Sequence, residues 1–404
     1  MIDNSGSTGQ EQKNLAHNFP LLVQQLQDLT NTAGDPISVD VQVMVTTTDM
    51  EHSSCQGTSG ATNGDPVTTA CTSRLGDFVF NGEDERDACE DNCPNPVVPE
   101  NDPFLWFYDN SDNVPDVPDN DVNEDGTDDN AAAQALACMG PQGTTGCWFE
   151  APLDAMMAAI DPDADHNQGN RPFVRPGAVL AVALVTDEAD CSIDEDEHPE
   201  VFDPLGTQEY WNTNPQGQKQ VSSAVCWNAG VDCEDAGGGT YDCEPRDEPL
   251  VNLDVYKDHL KDLILDDKKE VVMLGIIGVP PVTAHSEDPP HLPIEGGVED
   301  LVYRDWIDGV FPNGDLMPGE GDSVEQLQFQ FSIGPGCTEV YDGGRRGQAV
   351  PAPRIIDVCQ SLDKVGDEDE ERVRCCIESI CDDDFSSAIT CLTELIGDVT
   401  VPPQ

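Results

Sequence analysis

Two short and nearly unbroken apolar runs constrain the fold of this chain most strongly. Residues 178–185 read Ala-Val-Leu-Ala-Val-Ala-Leu-Val, and residues 270–279 form a second run of the same kind. Both have the length of a strand, and a strand that is apolar on both faces is typical of a parallel sheet covered by helices. Apolar residues at helical spacing over 10–29, 149–160 and 253–265 predict such helices. The sequence therefore predicts an α/β fold with a doubly wound, mostly parallel central sheet flanked by helices.

Further strands are expected on both sides of these elements. Residues 39–45 (Val-Asp-Val-Gln-Val-Met-Val) alternate as a strand, and residues 353–358 are strand-like, with helical patterns after them up to Ile396. Only Met1 and Ile2 precede the polar turn that follows them. We therefore expect a first strand that is truncated at its N-terminal end, with upstream residues supplying the rest of the strand and an export signal.

We expect a single domain over residues 1–404 that polar insertions interrupt. Residues 51–137 form an acidic insertion rich in Cys, Pro and Gly, and residues 192–250 form a second insertion. Residues 281–350 are rich in Pro and Gly and are predicted to be mostly loop. Insertions of this length are usually functional or mobile.

The charge balance excludes two classes of partner. Lys and Arg total 18 against 80 Asp and Glu, which gives a formal net charge of −62. Nucleic acid and anionic membrane surfaces both attract basic proteins, so neither is an expected partner. No run reaches the ~20 apolar residues of a membrane-spanning helix, so no transmembrane segment is expected. The acidity is consistent with a solvated surface and with binding of divalent cations.

Sixteen cysteines indicate disulfide bonds and an oxidising compartment. They are scattered and are not grouped into the paired C-x₂-C of a zinc site. The alternative is a cytosolic protein with reduced thiols. Connectivity does not follow from the sequence, but Cys138–Cys147 and Cys233–Cys243 are candidate local pairs.

A D-x-S-x-S run at Asp3, Ser5 and Ser7 is the strongest candidate for a functional site. It lies between two apolar residues and the first predicted helix, at a turn where one carboxylate and two hydroxyl groups can face one point. Such oxygens suit Mg²⁺ or Ca²⁺, and the neutral hydroxyls leave the ion with net positive charge, able to accept a carboxylate from outside the protein. The alternative is an ordinary turn, because turns favour Asp and Ser.

Two more polar segments are expected to join this motif. Asp187 follows the apolar run 178–185, and the carboxyl ends of parallel strands meet at one edge of a sheet, where ligands bind. A Gly-Thr-Thr-Gly turn at 143–146 precedes the predicted helix, and one of its threonines can add a neutral oxygen. The alternatives are a capping role for Asp187 and an ordinary turn at the threonines. The predicted metal site consists of Asp3, Ser5, Ser7, Asp187 and either Thr144 or Thr145.

These segments resemble the metal-ion-dependent adhesion site of a von Willebrand factor A domain. The chain is similar to exported von Willebrand A-like proteins, often lipoproteins, of bacteria such as myxobacteria. The similar segments are 3–22, 143–155, 185–192, 253–280 and 379–389. The resemblance implies that Asp3, Ser5, Ser7, Thr144 and Asp187 bind the metal directly or through water. It also implies that a protein or surface ligand supplies the remaining carboxylate.

The chain departs from the common family pattern in three places. Thr8 stands where Met is frequent, and Cys147 crowds the threonine loop, which leaves Thr144 and Thr145 both open as the ligand. Glu188 stands where many members have Gly. The added negative charge favours Ca²⁺ or alters the open coordination position.

A second candidate calcium site lies in the first insertion. Its residues are Asp121, Asn123, Asp125 and Asp128, spaced around Gly126 as in an EF-hand-type or thrombospondin type-3 calcium loop. The Glu expected at the twelfth position is replaced by Ala132, and no flanking helix is evident. A weak calcium site and a solvated acidic loop are equal alternatives.

The leading hypothesis is a divalent-metal-dependent adhesion or binding module that is secreted or anchored at the cell surface, as lipoproteins are. The sequence has no H-E-x-x-H, G-x-S-x-G or Walker motif, so we do not expect an enzyme. One alternative is a hydrolase that uses an acidic metal cluster. The other is a structural protein that calcium makes rigid.

Overall fold

The computed structural model describes residues 1–30, 36–55, 58–108, 111–123, 126–306, 323–340, 346–366 and 372–400. These residues form a mixed helix and sheet architecture, with one parallel three-stranded sheet and several short sheets. The helices in this part of the chain are α1 (Gly9–Gln27), α2 (Asp87–Glu90), α3 (Ala131–Met139), α4 (Pro152–Ile160), α5 (Ala224–Gly230), α6 (Leu253–Leu265), α7 (Val324–Phe331), α8 (Pro353–Ser361) and α9 (Ser386–Val399). The strands are β1 (Val41–Val43), β2 (Val79–Phe80), β3 (Glu83–Asp84), β4 (Leu105–Tyr108), β5 (Ser111–Asp112), β6 (Leu180–Val185), β7 (Asn212–Thr213), β8 (Lys219–Gln220), β9 (Val231–Gly237), β10 (Thr240–Pro245), β11 (Val271–Ile277), β12 (Ala284–His285), β13 (Pro293–Glu295), β14 (Tyr303–Arg304), β15 (Cys337–Val340), β16 (Arg346–Ala349) and β17 (Cys375–Ser379).

The parallel sheet has the strand order β17-β11-β6. Its middle strand pairs with both neighbours, so that Leu274 lies opposite Ala183 on one side and Cys376 on the other. All seven residues of β11 are buried. The two apolar runs are therefore confirmed as parallel strands, and β6 is buried except at Ala181 and Ala183.

Helices cover both faces of this sheet. Successive side chains of a strand point to opposite faces. Val272, Leu274 and Ile276 accordingly belong to one apolar cluster, with residues of α1, α3 and α9. Val271 and Met273 belong to a second cluster, with residues of α4, α6 and α8.

Polar segments follow the carboxyl ends of the parallel strands. The chain enters the sheet at Ile2, which forms parallel bridges to Thr47 on one side and Val185 on the other. Ile2 therefore lies between residues 47 and 185 in the sheet. The turn that begins at Asp3 leaves the sheet beside the end of β6. This order brings three polar turns to one edge.

The predictions for two other segments need correction. The strand predicted at residues 39–45 is only β1, and it pairs antiparallel with β4 of the first insertion. The strand predicted at 353–358 is wrong, because these residues form helix α8. Pro353 occupies the first turn, where its missing N–H costs nothing, and the apolar residues after it recur at helical spacing.

The C-terminal region also contains a strand that the predicted helical pattern missed. Strand β17 has only five residues, and all five are buried, Glu378 among them. A polar residue within so short a run hides the strand pattern. Disulfides Cys359–Cys375 and Cys376–Cys391 tie this strand to α8 and α9.

All sixteen cysteines lie in described residues and form eight disulfides. The predicted pair Cys233–Cys243 is confirmed, since the two residues face each other across the β9–β10 hairpin. The predicted pair Cys138–Cys147 is wrong. Cys138 bonds to Cys93 and Cys147 to Cys55, both from the first insertion, because tertiary proximity and not sequence spacing selects the partners.

Candidate functional site

The D-x-S-x-S turn begins where the chain leaves the parallel sheet. The backbone N–H of Asp3 donates to the carbonyl oxygen of Val185 at 2.9 Å, which fixes the turn beside the end of β6. The side chain of Thr8 then donates to the carbonyl oxygens of Asp3 and Ser5, at 3.2 Å and 3.0 Å. These bonds hold the turn in place as α1 begins at Gly9.

The Asp3 carboxylate is buried rather than accessible, with 1% of the residue exposed. The N–H of Ser5 donates to its Oδ1 at 2.7 Å, and the hydroxyl of Thr186 donates to its Oδ2 at 2.5 Å. Burial raises the pKa of Asp3, and these hydrogen bonds partly oppose the rise because they favour the charged form. Asp3 therefore joins the first turn to the segment that follows β6.

Asp187 lies beside the turn that carries Asp3, Ser5 and Ser7. The hydroxyls of Ser5 and Ser7 lie 3.3 Å apart, and Ser7 is close enough to Asp187 to lower the pKa of its carboxyl group. Asp187 is 3% exposed, and its Oδ1 has no hydrogen-bond partner among the described residues. Burial, followed by the charges of Asp3 and Glu188, raises the pKa of Asp187 well above its usual value. The structure thus brings Asp3, Ser5, Ser7 and Asp187 together.

The threonine loop is fastened to the same turn by Gln12 of α1. Its amide nitrogen donates to the carbonyl oxygens of Asp3 and Gly143 at 2.9 Å and 2.7 Å, and its amide oxygen accepts from the N–H of Gly143 at 3.0 Å. The N–H of Gly146 donates to the Asn4 carbonyl oxygen at 2.8 Å. A Cβ at Gly146 would lie 2.3 Å from Asn4 Oδ1, so only glycine permits this approach.

The two threonines of this loop have different surroundings. Thr144 is buried, and its N–H donates to the Asp77 carbonyl oxygen at 2.7 Å. Thr145 is half-buried, and its hydroxyl lies 2.7 Å from that of Ser59. The Thr144 hydroxyl also donates to the Asp77 carbonyl oxygen, at 3.5 Å. Both side chains therefore contact the first insertion, and the structure does not single out either threonine as the ligand.

Sequence reasoning missed Glu150, which precedes α4. It is 0% exposed, its Oε2 accepts from the Thr48 hydroxyl at 2.6 Å, and its carboxyl group lies within range of the charge of Asp3. Burial, followed by the charges of Asp3 and Asp49, raises its pKa well above the usual value. In sequence Glu150 resembles an ordinary acidic residue near a helix start, and no local signal sets it apart.

Four buried carboxyl groups (Asp3, Glu150, Asp187 and Glu188) therefore lie around one sheet edge. Burial, followed by the charge of Asp3, also raises the pKa of Glu188 well above its usual value. Burying several carboxylates without a counter-charge is costly, and protons or a cation offset this cost. The unpartnered oxygens Asp187 Oδ1 and Glu150 Oε1 are suitable acceptors for a cation.

These residues fit a hard divalent cation by the chemistry of their oxygens. No group of three or more His, Cys, Asp or Glu side chains is arranged to hold a metal within the described residues. The candidate set differs from such a group because it combines carboxylates with the hydroxyls of Ser5 and Ser7. Mg²⁺ and Ca²⁺ both accept such mixed oxygen ligands.

The second candidate calcium loop is described only in part. Asp125 lies outside the described residues. The Oδ2 of Asp121 accepts from the Gly126 N–H at 2.9 Å, and its Oδ1 is buried without a hydrogen-bond partner. Asn123 is buried, whereas Asp128 is exposed. A helix does follow this loop, contrary to expectation, because α3 begins at Ala131 with Asn130 as its N-cap.

No protein-family model matches this chain, and no curated protein or solved structure matches it either. Among the helices of the described residues, none combines the length and apolar character needed to cross a bilayer. The eight disulfides fit an extracellular protein.

Proposed function

We propose that this chain is a von Willebrand factor A-like module that binds a protein or surface ligand through a divalent cation. The observation that carries the proposal is the meeting of Asp3, Ser5, Ser7 and Asp187 at the carboxyl end of parallel strands, with Asp187 Oδ1 buried and unpartnered. The bridges of Ile2 to both neighbouring segments and the helices on both faces support a doubly wound sheet. The disulfides support action outside the cell or at its surface.

In this proposal each residue has a definite role. Asp3, Ser5, Ser7 and Asp187 hold Mg²⁺ or Ca²⁺, and Thr144 or Thr145 adds a neutral oxygen from the loop that Gln12 fastens. The bound ion supplies positive charge to which a carboxylate of the partner can attach. Thr186 orients the Asp3 carboxylate through its hydroxyl at 2.5 Å.

The cation would also reduce the electrostatic repulsion between this acidic chain and an acidic ligand. A chain with net charge −62 repels any acidic ligand. A cation held by buried carboxylates weakens the negative field at one point only, and its open coordination position can accept a carboxylate of the partner. Binding of an acidic group is thereby confined to this edge of the sheet, which makes recognition both local and metal-dependent.

The test is calorimetric titration of Mg²⁺ and Ca²⁺ into the wild type, Asp3→Asn and Asp258→Asn. Asp3→Asn keeps the shape of a buried residue but removes its charge. Asp258→Asn removes the same charge from an exposed position on α6. We expect metal binding to be lost in Asp3→Asn and kept in the control. A wild type that binds neither ion would overturn the proposal.

The partner requirement is tested with a peptide that contains one Glu and with its Gln counterpart. We expect only the Glu peptide to bind, and only in the presence of Mg²⁺ or Ca²⁺. Equal binding of both peptides, or binding that survives a chelator, would place recognition elsewhere. Metal binding without any peptide binding would favour the calcium-rigidified structural protein instead.

A further inference from the structure

The turn that carries the D-x-S-x-S motif meets solvent at its middle. Asp3 and Ser5 are each 1% exposed, and Asp187 beside them is 3% exposed. Gly6 and Ser7, in contrast, are exposed. A group that approaches a cation at this turn from outside therefore passes Gly6 and Ser7. The side chains that lie against these two residues help to decide which partners fit.

An aromatic side chain of the first insertion lies against Gly6. A Cβ at Gly6 would be 2.7 Å from both the Cδ1 and the Cε1 atoms of the Phe80 ring, so only glycine permits this approach. Gly6 separates Ser5 from Ser7, the two hydroxyl residues of the candidate site. Phe80 is half-buried, so part of its ring remains in contact with solvent. Phe80 thus borders the exposed part of the turn.

The hairpin that carries Phe80 is closed at its base. Strands β2 and β3 pair antiparallel, with Phe80 opposite Glu83. Phe78, which precedes β2, is 0% exposed, and its carbonyl oxygen accepts from the N–H of Glu85 at 2.8 Å. The two residues at the base of the hairpin are therefore buried and bonded to each other, which fixes the direction in which Phe80 projects.

The same segment is attached to α1, which begins directly after the turn. A Cβ at Gly9 would lie 2.4 Å from Cγ of Glu85, so the base of the hairpin packs on the first turn of α1. Lys13 of α1 forms an ion pair with Asp87 of α2 at 2.7 Å. The disulfide Cys71–Cys89 closes the segment around these contacts. Phe80 is accordingly held beside the turn before any partner binds, which lowers the entropy cost of a contact with it.

The charges around Phe80 limit the chemistry of a partner. Residues 77–85 contain four Asp or Glu and no Lys or Arg. In a chain of net charge −62, a second carboxylate next to the one at the cation would be repelled. A large apolar side chain meets no such repulsion and can bury surface against the aromatic ring.

We propose that Phe80 selects partners in which the carboxylate that reaches the cation is flanked by a large apolar residue. This inference rests on the proposed function, because the cation holds the carboxylate while Phe80 contacts the neighbouring side chain. The partner is then a protein segment with a single acidic residue beside an apolar one. Aromatic residues are frequent among those that carry most of the binding energy of an interface, and a preorganised ring next to the attachment point fits that role.

The first arm of the test is calorimetric titration of Ca²⁺ and Mg²⁺ into the wild type, Phe80→Ser, Phe80→Leu and Leu265→Ser. Leu265 is the matched control because it is also a partly exposed apolar residue, 39% exposed. It ends α6, which leads into the start of β11, so it lies at the opposite end of the sheet from the candidate site. We expect equal metal affinity in all four proteins, because Phe80 supplies no oxygen ligand.

The second arm compares two peptides in the presence of Ca²⁺ or Mg²⁺. Both are acetylated and amidated, so that each has one carboxylate, and their sequences are Phe-Glu-Phe and Ser-Glu-Ser. We expect the wild type to bind Phe-Glu-Phe at least about tenfold more tightly, equivalent to about 1.4 kcal/mol. The preference should fall below about threefold in Phe80→Ser, equivalent to about 0.7 kcal/mol. It should persist in Phe80→Leu and Leu265→Ser, which keep an apolar side chain beside the turn.

The outcomes separate this inference from the proposed function. Equal affinity of the wild type for the two peptides, or a preference that survives Phe80→Ser, would overturn the inference and leave the proposed function standing. Tighter binding of both peptides to Phe80→Ser would identify the hairpin as a cover over the site and would also overturn it. So would loss of metal binding in Phe80→Ser, which would give the ring a structural role. A wild type that binds no cation, or neither peptide, would overturn both.

Discussion

Buried carboxyl groups at the candidate metal site set the response of this protein to pH and to cations. Burial raises the pKa of Asp187, Glu150 and Glu188 well above their usual values, so the folded state holds protons that the unfolded state releases. Their contribution to stability is therefore complete at acidic pH, below the usual carboxyl pKa, and is lost as the pH rises towards the raised values. A bound cation removes this loss because it replaces the protons.

Asp187→Asn should consequently have opposite effects with and without metal. In chelator at alkaline pH, we expect the variant to be more stable than the wild type by on the order of 1–3 kcal/mol, because a buried charge is removed. With Ca²⁺ at a hundredfold excess over its dissociation constant, the wild type should gain about 2.7 kcal/mol and the variant should not. Urea unfolding across pH, with and without Ca²⁺, measures both effects. Asp258→Asn is the control, and an identical response of the two variants would contradict the prediction.

At the scale of elements, disulfides position loops that have little regular structure of their own. Cys55–Cys147 closes a segment of 92 residues and ends one residue beyond the Gly146 that contacts the Asp3 turn. Cys233–Cys243 closes only 10 residues within the β9–β10 hairpin, which is largely exposed. The first disulfide therefore acts on the candidate site, whereas the second supports a surface hairpin.

Replacing both cysteines of each pair by alanine should separate these roles. We expect loss of Cys55–Cys147 to cost about 2–5 kcal/mol of unfolding free energy and to weaken Mg²⁺ or Ca²⁺ binding at least about tenfold, because the threonine loop loses its anchor. Loss of Cys233–Cys243 should leave metal affinity unchanged. Calorimetric titration and urea unfolding of both double variants give the two readouts. Equal metal affinity in the two would show that the hydrogen bonds of Gln12 and Gly146 hold the loop without the disulfide.

At the scale of the whole molecule, self-repulsion follows from a net charge of −62. Salt screens exposed charges over about 10 Å at moderate ionic strength but affects buried groups much less. Two separate effects of cations are therefore expected. Any salt should screen the repulsion between exposed charges, and a divalent ion should in addition bind at the candidate site.

Melting temperature should rise with NaCl concentration by a similar amount in the wild type and in Asp187→Asn. A further rise on adding Ca²⁺ at constant ionic strength should occur in the wild type only. Differential scanning calorimetry over a salt series measures both. A Ca²⁺ effect that persists unchanged in Asp187→Asn would mean that the ion acts only on the acidic surface.

The sequence by itself determined the elements whose local pattern is strong. The apolar runs of β6 and β11 and the periodic helices α1 and α6 were predicted because burial imposes a repeat that is visible along the chain. The residues of the D-x-S-x-S turn were found for a similar reason, since three oxygen-bearing side chains lie within five positions.

Only the tertiary structure decided the features that depend on distant neighbours. Cys138 and Cys147 have partners from an insertion, Glu150 reaches Asp3 from another part of the chain, and β17 is a strand because β11 offers it an edge. In each case the stabilising free energy comes from a contact between residues far apart in sequence. Such a contact produces no repeat or characteristic spacing in the local sequence. That is why the sequence, which predicted two parallel strands, did not reveal the buried carboxyl group of Glu150 at the candidate site.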